Sequence, residues 1–518
     1  MTRDNHADHE SKGIGRRNYL ASLGVGLGTL VGGASVTDRA SADGEPTGAD
    51  ASKPFHPTYH AAPAEGWMND PNGMAYVDGR YHLFYQAGKD SRRWDHATSE
   101  DLLTWTHEGT KVPDDGFQAY SGGAVVDVDG RSGFGEGALV ATFTGHHDDG
   151  LEDQRLAYST NGGDDLVQHE TNPVIPSDVS DFRDPNPLWY GPDDSWRLVV
   201  ARVNPAPDRP RGIEIYESDD LVDWTYLSTY ESGEAGWECP SLYELPVAGS
   251  DEARWVMSIS VEWNHVEHHV GHFDGDRFVV EERFRADHGH DYYGAQSWAN
   301  APEGPGLQLA WMNNWAYAHS VPGNGWQGAQ SLPRRLTLYE TDDGIDLRQH
   351  PTDAVAALRD RRLASLREQP VAPDADPVAD AGVHGRTLEL LATVDPGSAD
   401  RVGLAVRASA DQETRIEFDV PSEELIVDRG RSGALFAPGH YDVETGPLPR
   451  REDGTIQLRV FVDNSSVEVF ANDGRHANTN LVFPDPESTA VRAFAEGGTA
   501  ELTAFDAYAL ATPEPQAH

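Results

Sequence analysis

A single cysteine, Cys239, stands in the 518-residue chain, so no intrachain disulfide is available to hold the fold. Lysine is almost as scarce and occurs only at positions 12, 53, 89 and 111. Positive charge is short overall. Against 86 acidic residues there are 40 basic ones, and the formal net charge of -46 repels nucleic acid and anionic lipid alike, which argues against both as partners. Long apolar runs are missing too: beyond the N-terminal region no segment approaches the roughly 20 apolar residues of a membrane span.

What is present points to a folded, exported protein. Hydrophobic residues make up 38% of the chain, enough for real cores, and 13 Trp provide rings that stack on sugars as readily as they pack. The length predicts two domains plus an export segment. Gly15-Arg16-Arg17-Asn18-Tyr19-Leu20 opens a stretch of small and apolar residues that runs to about Val36 and resembles a twin-arginine export signal. Residues 1–42 are therefore expected to be a signal peptide and 43–53 a disordered leader, giving a secreted, extracellular protein. An acidic composition nearly free of lysine resembles the proteins of salt-loving organisms, with an acidic protein from a high-GC genome as the alternative.

From residue 54 to 345, short strand-like runs alternate with Gly, Pro, Asn and Asp turns, for example at 81–86, 123–128, 139–144, 196–203, 213–217, 255–261 and 307–313. An internal echo narrows the choice among all-β folds. Ser99-Glu100-Asp101-Leu102-Leu103-Thr104-Trp105 recurs as Ser218-Asp219-Asp220-Leu221-Val222-Asp223-Trp224, with a degraded copy at 159–168. A turn motif repeated after a strand marks radial repetition, so the prediction is a β-propeller of about five blades. Residues 346–377 are predicted as a connector, with Val355, Leu358, Leu363 and Leu366 near helical spacing and a Pro-rich hinge after them. Residues 378–512 read as a β-sandwich, with Asp463-Asn464-Ser465-Ser466 as a hairpin turn, and 513–518 as a tail.

Three acidic motifs carry chemistry. They are Trp67-Met68-Asn69-Asp70-Pro71-Asn72-Gly73, Phe182-Arg183-Asp184-Pro185 and Trp237-Glu238-Cys239-Pro240. Asp70 and Asp184 each stand just before a proline, which keeps that backbone out of a helix, Glu238 is one residue removed from Pro240, and the inner strands of successive blades would bring the three together. Each motif alone is no more than a turn or an ion pair. Together they resemble glycoside hydrolase family 32, the fructan-processing glycosidases that include invertases, inulinases and levanases. Further segments follow in family order: Tyr81-His82-Leu83-Phe84-Tyr85-Gln86, Tyr120-Ser121-Gly122, Tyr293-Gly294-Ala295-Gln296-Ser297-Trp298, Trp311-Met312-Asn313-Asn314-Trp315 and Ser331-Leu332-Pro333-Arg334. Phe461-Val462-Asp463-Asn464-Ser465-Ser466-Val467-Glu468-Val469-Phe470 matches the tail, so the likeness spans about residues 55 to 510.

The resemblance implies an all-β, five-bladed β-propeller followed by a C-terminal β-sandwich, and a retaining hydrolase of terminal β-fructofuranosyl bonds in levan, inulin or sucrose. It assigns Asp70 as nucleophile, Glu238 as general acid/base and Asp184 as transition-state stabiliser. For the fructosyl group it assigns Asn69, Gln86, Trp94, Ser121, Arg183 and Trp315, although Trp94 and Trp315 have an alternative as blade core. Trp311 to Trp315 with Tyr317 and Trp326 looks more like levanases and exo-inulinases than invertases. A fructosyl transferase, a related pentosan hydrolase and a non-catalytic binding protein are the rival readings, and the last would be expected to lack one of the carboxylates. No cofactor or metal is expected: His265, His268, His269 and His272 do not converge on one ion in a strand context. Asp95, Gly123 and Ser241 depart from the family pattern and bear on substrate preference.

At molar salt the Debye length falls to roughly 3 Å, which screens the self-repulsion of so acidic a chain. The protein is therefore expected to lose structure on desalting, and a melting curve that is the same in dilute buffer and in molar salt would refute this.

Overall fold

A computed structural model describes residues 53–513 apart from 178, 206–208, 234, 343, 435 and 438–442. The signal peptide, the leader up to residue 52 and the tail from 514 lie outside the described residues. No described helix is long and apolar enough to cross a membrane.

Five blades of antiparallel strands follow one another along the chain, the last two joined into one sheet by parallel pairing of Val247 and Ala248 with Leu338 and Tyr339, and each opens with a strand that touches the opening strand of the next, in a closed ring. These inner strands are Gly66–Val77 in blade one, the split pair Gln118–Ala119 and Ala124–Asp127 in blade two, Phe182–Tyr190 in blade three, Trp237–Ala248 in blade four and Tyr293–Ser297 in blade five. The ring is closed by backbone hydrogen bonding between first and last blades: Trp326–Gln327 pairs in parallel with Gly66 and Trp67, and the Tyr76 amide donates to Ala299 O at 2.9 Å. Apolar clusters lie between neighbouring sheets, such as Ala75, Phe84, Trp94, Phe117, Leu139 and Phe143 between blades one and two.

The repeated motif is the turn that leaves the third strand of a blade. In blade one Asp101 Oδ1 accepts from the amides of Leu103 (2.9 Å) and Thr104 (2.7 Å), and the Trp105 indole donates to Leu102 O at 3.2 Å. In blade three Asp220 Oδ1 accepts from Val222 and Asp223, both at 2.9 Å, and Trp224 donates to Leu221 O at 3.0 Å. Leu102 and Leu221 both sit at positive φ, +67° and +66°, a conformation these side-chain bonds hold in place. The degraded copy keeps the turn through Ser159, whose Oγ accepts from Gly163 N at 2.9 Å.

The second unit of sheet is a sandwich of six and five strands. Leu390, Leu404, Ile416, Phe418, Leu458, Val460 and Phe505 fill its core. Asp463 to Ser465 form the predicted hairpin turn between Ile456–Val462 and Ser466–Ala471.

The connector helix is not there. Gly344–Pro351 is the outer strand of blade five, residues 353–358 make a short 3-10 helix, and Arg359–Val371 is a 13-residue strand paired with Ala500–Leu510. A register slip between Arg362 and Ala364 inserts one residue, so Leu363 and Leu366 both pack on the sandwich core although they are three apart. A bulge thus copies the spacing of a helix face. The real connector is only 352–358, anchored by buried Val355 and Leu358.

Propeller and sandwich meet through buried charge. His60 bonds Asp463 (2.8 Å) through Nδ1 and Glu468 (2.9 Å) through Nε2. Glu468 also accepts from Arg334 (3.0 Å), which pairs with Asp287 (2.8 Å), and Arg429 pairs with Asp291 at 2.7 Å. Burial alone would lower the pKa of His60, but hydrogen bonding to the two carboxylates overrides it and raises the group from 6.5 to about 9. A raised pKa means that the native state holds the proton more tightly. Its stabilisation is complete below pH 6.5 and disappears as pH rises through about 9. Thermal melts at fixed salt are therefore expected to show stability falling between pH 7 and 10 in the wild type, with a shallower fall in His60→Gln; equal slopes would contradict the assignment.

Candidate active site

Three blades each contribute one carboxylate at the entry end of their inner strands. Asp70, Asp184 and Glu238 are 7%, 3% and 6% exposed. In each strand the pairing with its neighbour slips just there, between Met68 and Pro71, Arg183 and Asn186, and Glu238 and Ser241. The prolines remove a ladder amide at these points, and the irregular backbone re-aims the side chains into the ring. Asp184 and Cys239 adopt φ of +62° and +49°, the kind of local strain found at functional sites.

The carboxylates are tied to one another. Cys239 donates to Asp184 Oδ2 from its amide at 2.9 Å and from its thiol at 3.5 Å, and the thiol lies 3.9 Å from Asp70 Oδ2. Asp70 Oδ2 accepts from Ser121 Oγ at 2.8 Å, while Oδ1 has no hydrogen-bond partner among the described residues. Glu238 is gripped on both oxygens, by Arg183 Nη1 at 3.2 Å and by the Tyr293 hydroxyl at 2.7 Å. Arg183 is held in turn by Glu152, to which it donates from Nε (3.0 Å) and with which Nη2 pairs (2.8 Å).

Beside Asp70, the Asn69 amide is locked. Its oxygen accepts from Trp67 Nε1 (2.6 Å) and Arg92 Nη1 (2.8 Å), and its nitrogen donates to Gln86 Oε1 (2.5 Å). Half-buried Trp315 stacks on Trp67 with ring centres 6.3 Å apart and lies 4.6 Å from Trp311, so an aromatic wall flanks the carboxylates.

Family models for the glycosyl hydrolases family 32 N-terminal domain and C-terminal domain match residues 60–351 and 354–509. The chain belongs to glycosyl hydrolases family 32. It is 38% identical over 487 residues to a levanase of Bacillus subtilis, covering 88% of this chain and 70% of that one. It is 29% identical over 518 residues to an extracellular exo-inulinase of Aspergillus awamori, covering 89% and 95%. The crystal structure of that exo-inulinase superposes with a TM-score of 0.79 over 89% of this chain and 99% of the other. A β-fructofuranosidase of Schwanniomyces occidentalis complexed with fructosyl-erythritol, 25% identical, gives 0.78 over 89% and 99%. The fold is accordingly the five-bladed propeller plus sandwich of this family.

Of the nine residues predicted for the family 32 site, eight come together. Trp94 does not. It is 0% exposed, its indole donates to Tyr120 O at 2.9 Å, and Phe84 and Phe143 pack on it. Trp94 fills the core between blades one and two and offers no face to a sugar. Sequence reading missed Tyr293, Glu152, Arg92 and Gly294. Tyr293 and Gly294 lie within a recognised segment, whereas nothing around Glu152 or Arg92 marks them. Of the departures from family pattern, Asp95 pairs with Arg93 (2.9 Å) on the blade, and Ser241 bonds Ser297 (2.9 Å). Gly123 leaves room for Asn186, whose carboxamide carbon would lie 2.5 Å from a Cβ there. The four histidines of the 265–272 run lie along one strand, His265 and His269 on Glu267, His268 on Ser258 and His272 on Glu281.

Burial pushes Asp184 upward, with the Glu238 charge adding and Arg183 opposing. Burial also raises Asp70, against the Ser121 hydrogen bond and with the Glu238 charge. Cys239 is driven well above the ordinary thiol range by burial and then by the three carboxylates, which disfavours the thiolate and accords with a packed neighbour of the carboxylates.

Gly294, at φ +65°, lets the fifth blade close on the first: a Cβ there would lie 2.9 Å from Asp70 Oδ1. If Asp70 is the reacting group that the family resemblance assigns, Gly294→Ala is expected to lower kcat by about 100-fold with near wild-type circular dichroism, because a shift of about 1 Å at a reacting group costs that much. Unaltered kcat would remove Asp70 from the reacting groups.

Proposed function

We propose that this protein releases fructose from terminal β-D-fructofuranosyl bonds of levan, inulin or sucrose, with retention at the anomeric carbon. The observation that carries the proposal is the convergence of Asp70, Asp184 and Glu238 from three blades into one buried cluster around Cys239. The levanase and exo-inulinase names of its relatives favour a fructan. The twin-arginine motif and the charge of -46 support export into a salty medium.

In this reading Asp70 attacks C2 of the fructosyl ring while Glu238 gives its proton to the departing glycosidic oxygen. Glu238 then takes a proton from water, which attacks C2 and releases Asp70. Asp184 receives sugar hydroxyls, and its burial makes those bonds strong. Arg183 orients Glu238, Asn69 and Gln86 meet ring hydroxyls, and Trp315 forms the apolar wall. Two carboxyl groups of different protonation state are what a retaining glycosidase requires.

Alanine variants at 70 and 238, assayed with azide in molar salt, assign the roles. Asp70→Ala is expected to yield the fructosyl azide of inverted configuration and Glu238→Ala the retained one. The opposite pairing would reverse the assignment. Size-resolved products from levan, inulin and sucrose identify the substrate, and predominance of new oligosaccharides over free fructose would favour transfer.

A further inference from the structure

In a chain with 86 acidic and 40 basic residues, a buried cation in the active site calls for an explanation. Arg92 is 8% exposed and lies in the turn between strands Arg80–Ala87 and Arg93–Ser99 of blade one. Its guanidinium touches three parts of the pocket. Nη1 donates to Asn69 Oδ1 at 2.8 Å, and the central carbon is 5.3 Å from the Trp67 ring centre and 5.7 Å from that of Trp315. Its backbone is clamped to the split strand of blade two: the Arg92 amide donates to Gln118 Oε1 at 3.3 Å and its carbonyl accepts from Ala119 N at 2.9 Å. Two residues beyond Ala119 is Ser121, which bonds Asp70.

Arg183 serves the other side. It is engaged with Glu152, Asp181 and Glu238. We propose that Arg92 is a positioning residue for Asp70: it fixes the Asn69 amide, braces Trp67 and Trp315 as one wall, and supplies the positive charge on the nucleophile's side of the pocket. The inference rests on Asp70 being the nucleophile. The planar fork suits this task, since it donates in its plane while its faces stack on indole.

The groups around Asp70 are Asn69 and Arg92 from blade one, Ser121 from blade two, Asp184 from blade three, Glu238 and Cys239 from blade four, and Tyr293 and Gly294 from blade five. Burial and the Glu238 charge raise Asp70, and Arg92 opposes them. Loss of that charge leaves less of Asp70 ionised at acid pH, so the acidic limb of kcat/KM moves to higher pH.

The test compares wild type, Arg92→Gln and Arg92→Lys in molar salt, with melting temperature as control. Arg92→Gln is expected to move the acidic limb to higher pH, the direction in which loss of a nearby opposite charge acts. Arg92→Lys is expected to keep the wild-type limb while KM rises about tenfold, from loss of the fork and its stacking. A wild-type pH profile in Arg92→Gln would overturn the proposal, whatever its overall activity. Should that variant not fold, Arg92→Lys decides: a raised KM with an unchanged limb supports the proposal, and an unchanged KM overturns it. A wild-type enzyme that releases no fructose, or azide products that place the nucleophile elsewhere, would instead defeat the functional reading beneath it.

Discussion

Three carboxyl groups share one dry end of a strand ring, and their mutual repulsion is the constraint around which the site is built. Burial penalises each charge, and each charge penalises the others. The relief is local and specific. Ser121 donates to Asp70, the Cys239 amide to Asp184, and Arg183 with Tyr293 to Glu238. Every one of these donors comes from a different blade than the carboxylate it serves, or from across a strand boundary within the ring. The site therefore exists only when the ring is closed.

Closure in turn depends on a few backbone concessions. Gly294 gives up its side chain so that blade five reaches Asp70, and Gly123 does the same for Asn186. Trp326 and Gln327 cross back to blade one and join the last sheet to the first. On the outside, the buried seam of His60, Asp463, Glu468 and Arg334 fastens the sandwich to the propeller. Charges so completely buried are tolerable because each finds an opposite partner and further hydrogen bonds. Segments at the N-terminal and C-terminal ends of the described chain thus hold a scaffold whose chemistry lies between them.

Much of this was legible in the sequence. The repeated Ser-x-Asp-Leu turn announced radial repetition because the Asp side chain makes the same backbone bonds wherever it recurs. The carboxylates announced themselves through the prolines that interrupt their strands. Two readings went astray for different reasons: the helix came from local spacing, which has more than one structural cause, whereas Trp94 was carried over from the family resemblance and took its stated alternative as blade core. A bulge at 363 imitated a helix face, and Trp94 packs in the core against the neighbouring blade.

The sequence by itself determined the β architecture, which depends on turn chemistry and alternation, and its ordered motifs carried the family resemblance that singled out the three acidic residues. Only the tertiary structure decided what stands around them. Glu152 behind Arg183 and Arg92 beside the Trp67 and Trp315 rings carry no local pattern that marks them, and Tyr293, although in a recognised segment, reaches Glu238 only across two blades. Their roles arise from distances that exist only after the ring closes, where a removed hydration shell turns a distant charge into a neighbour.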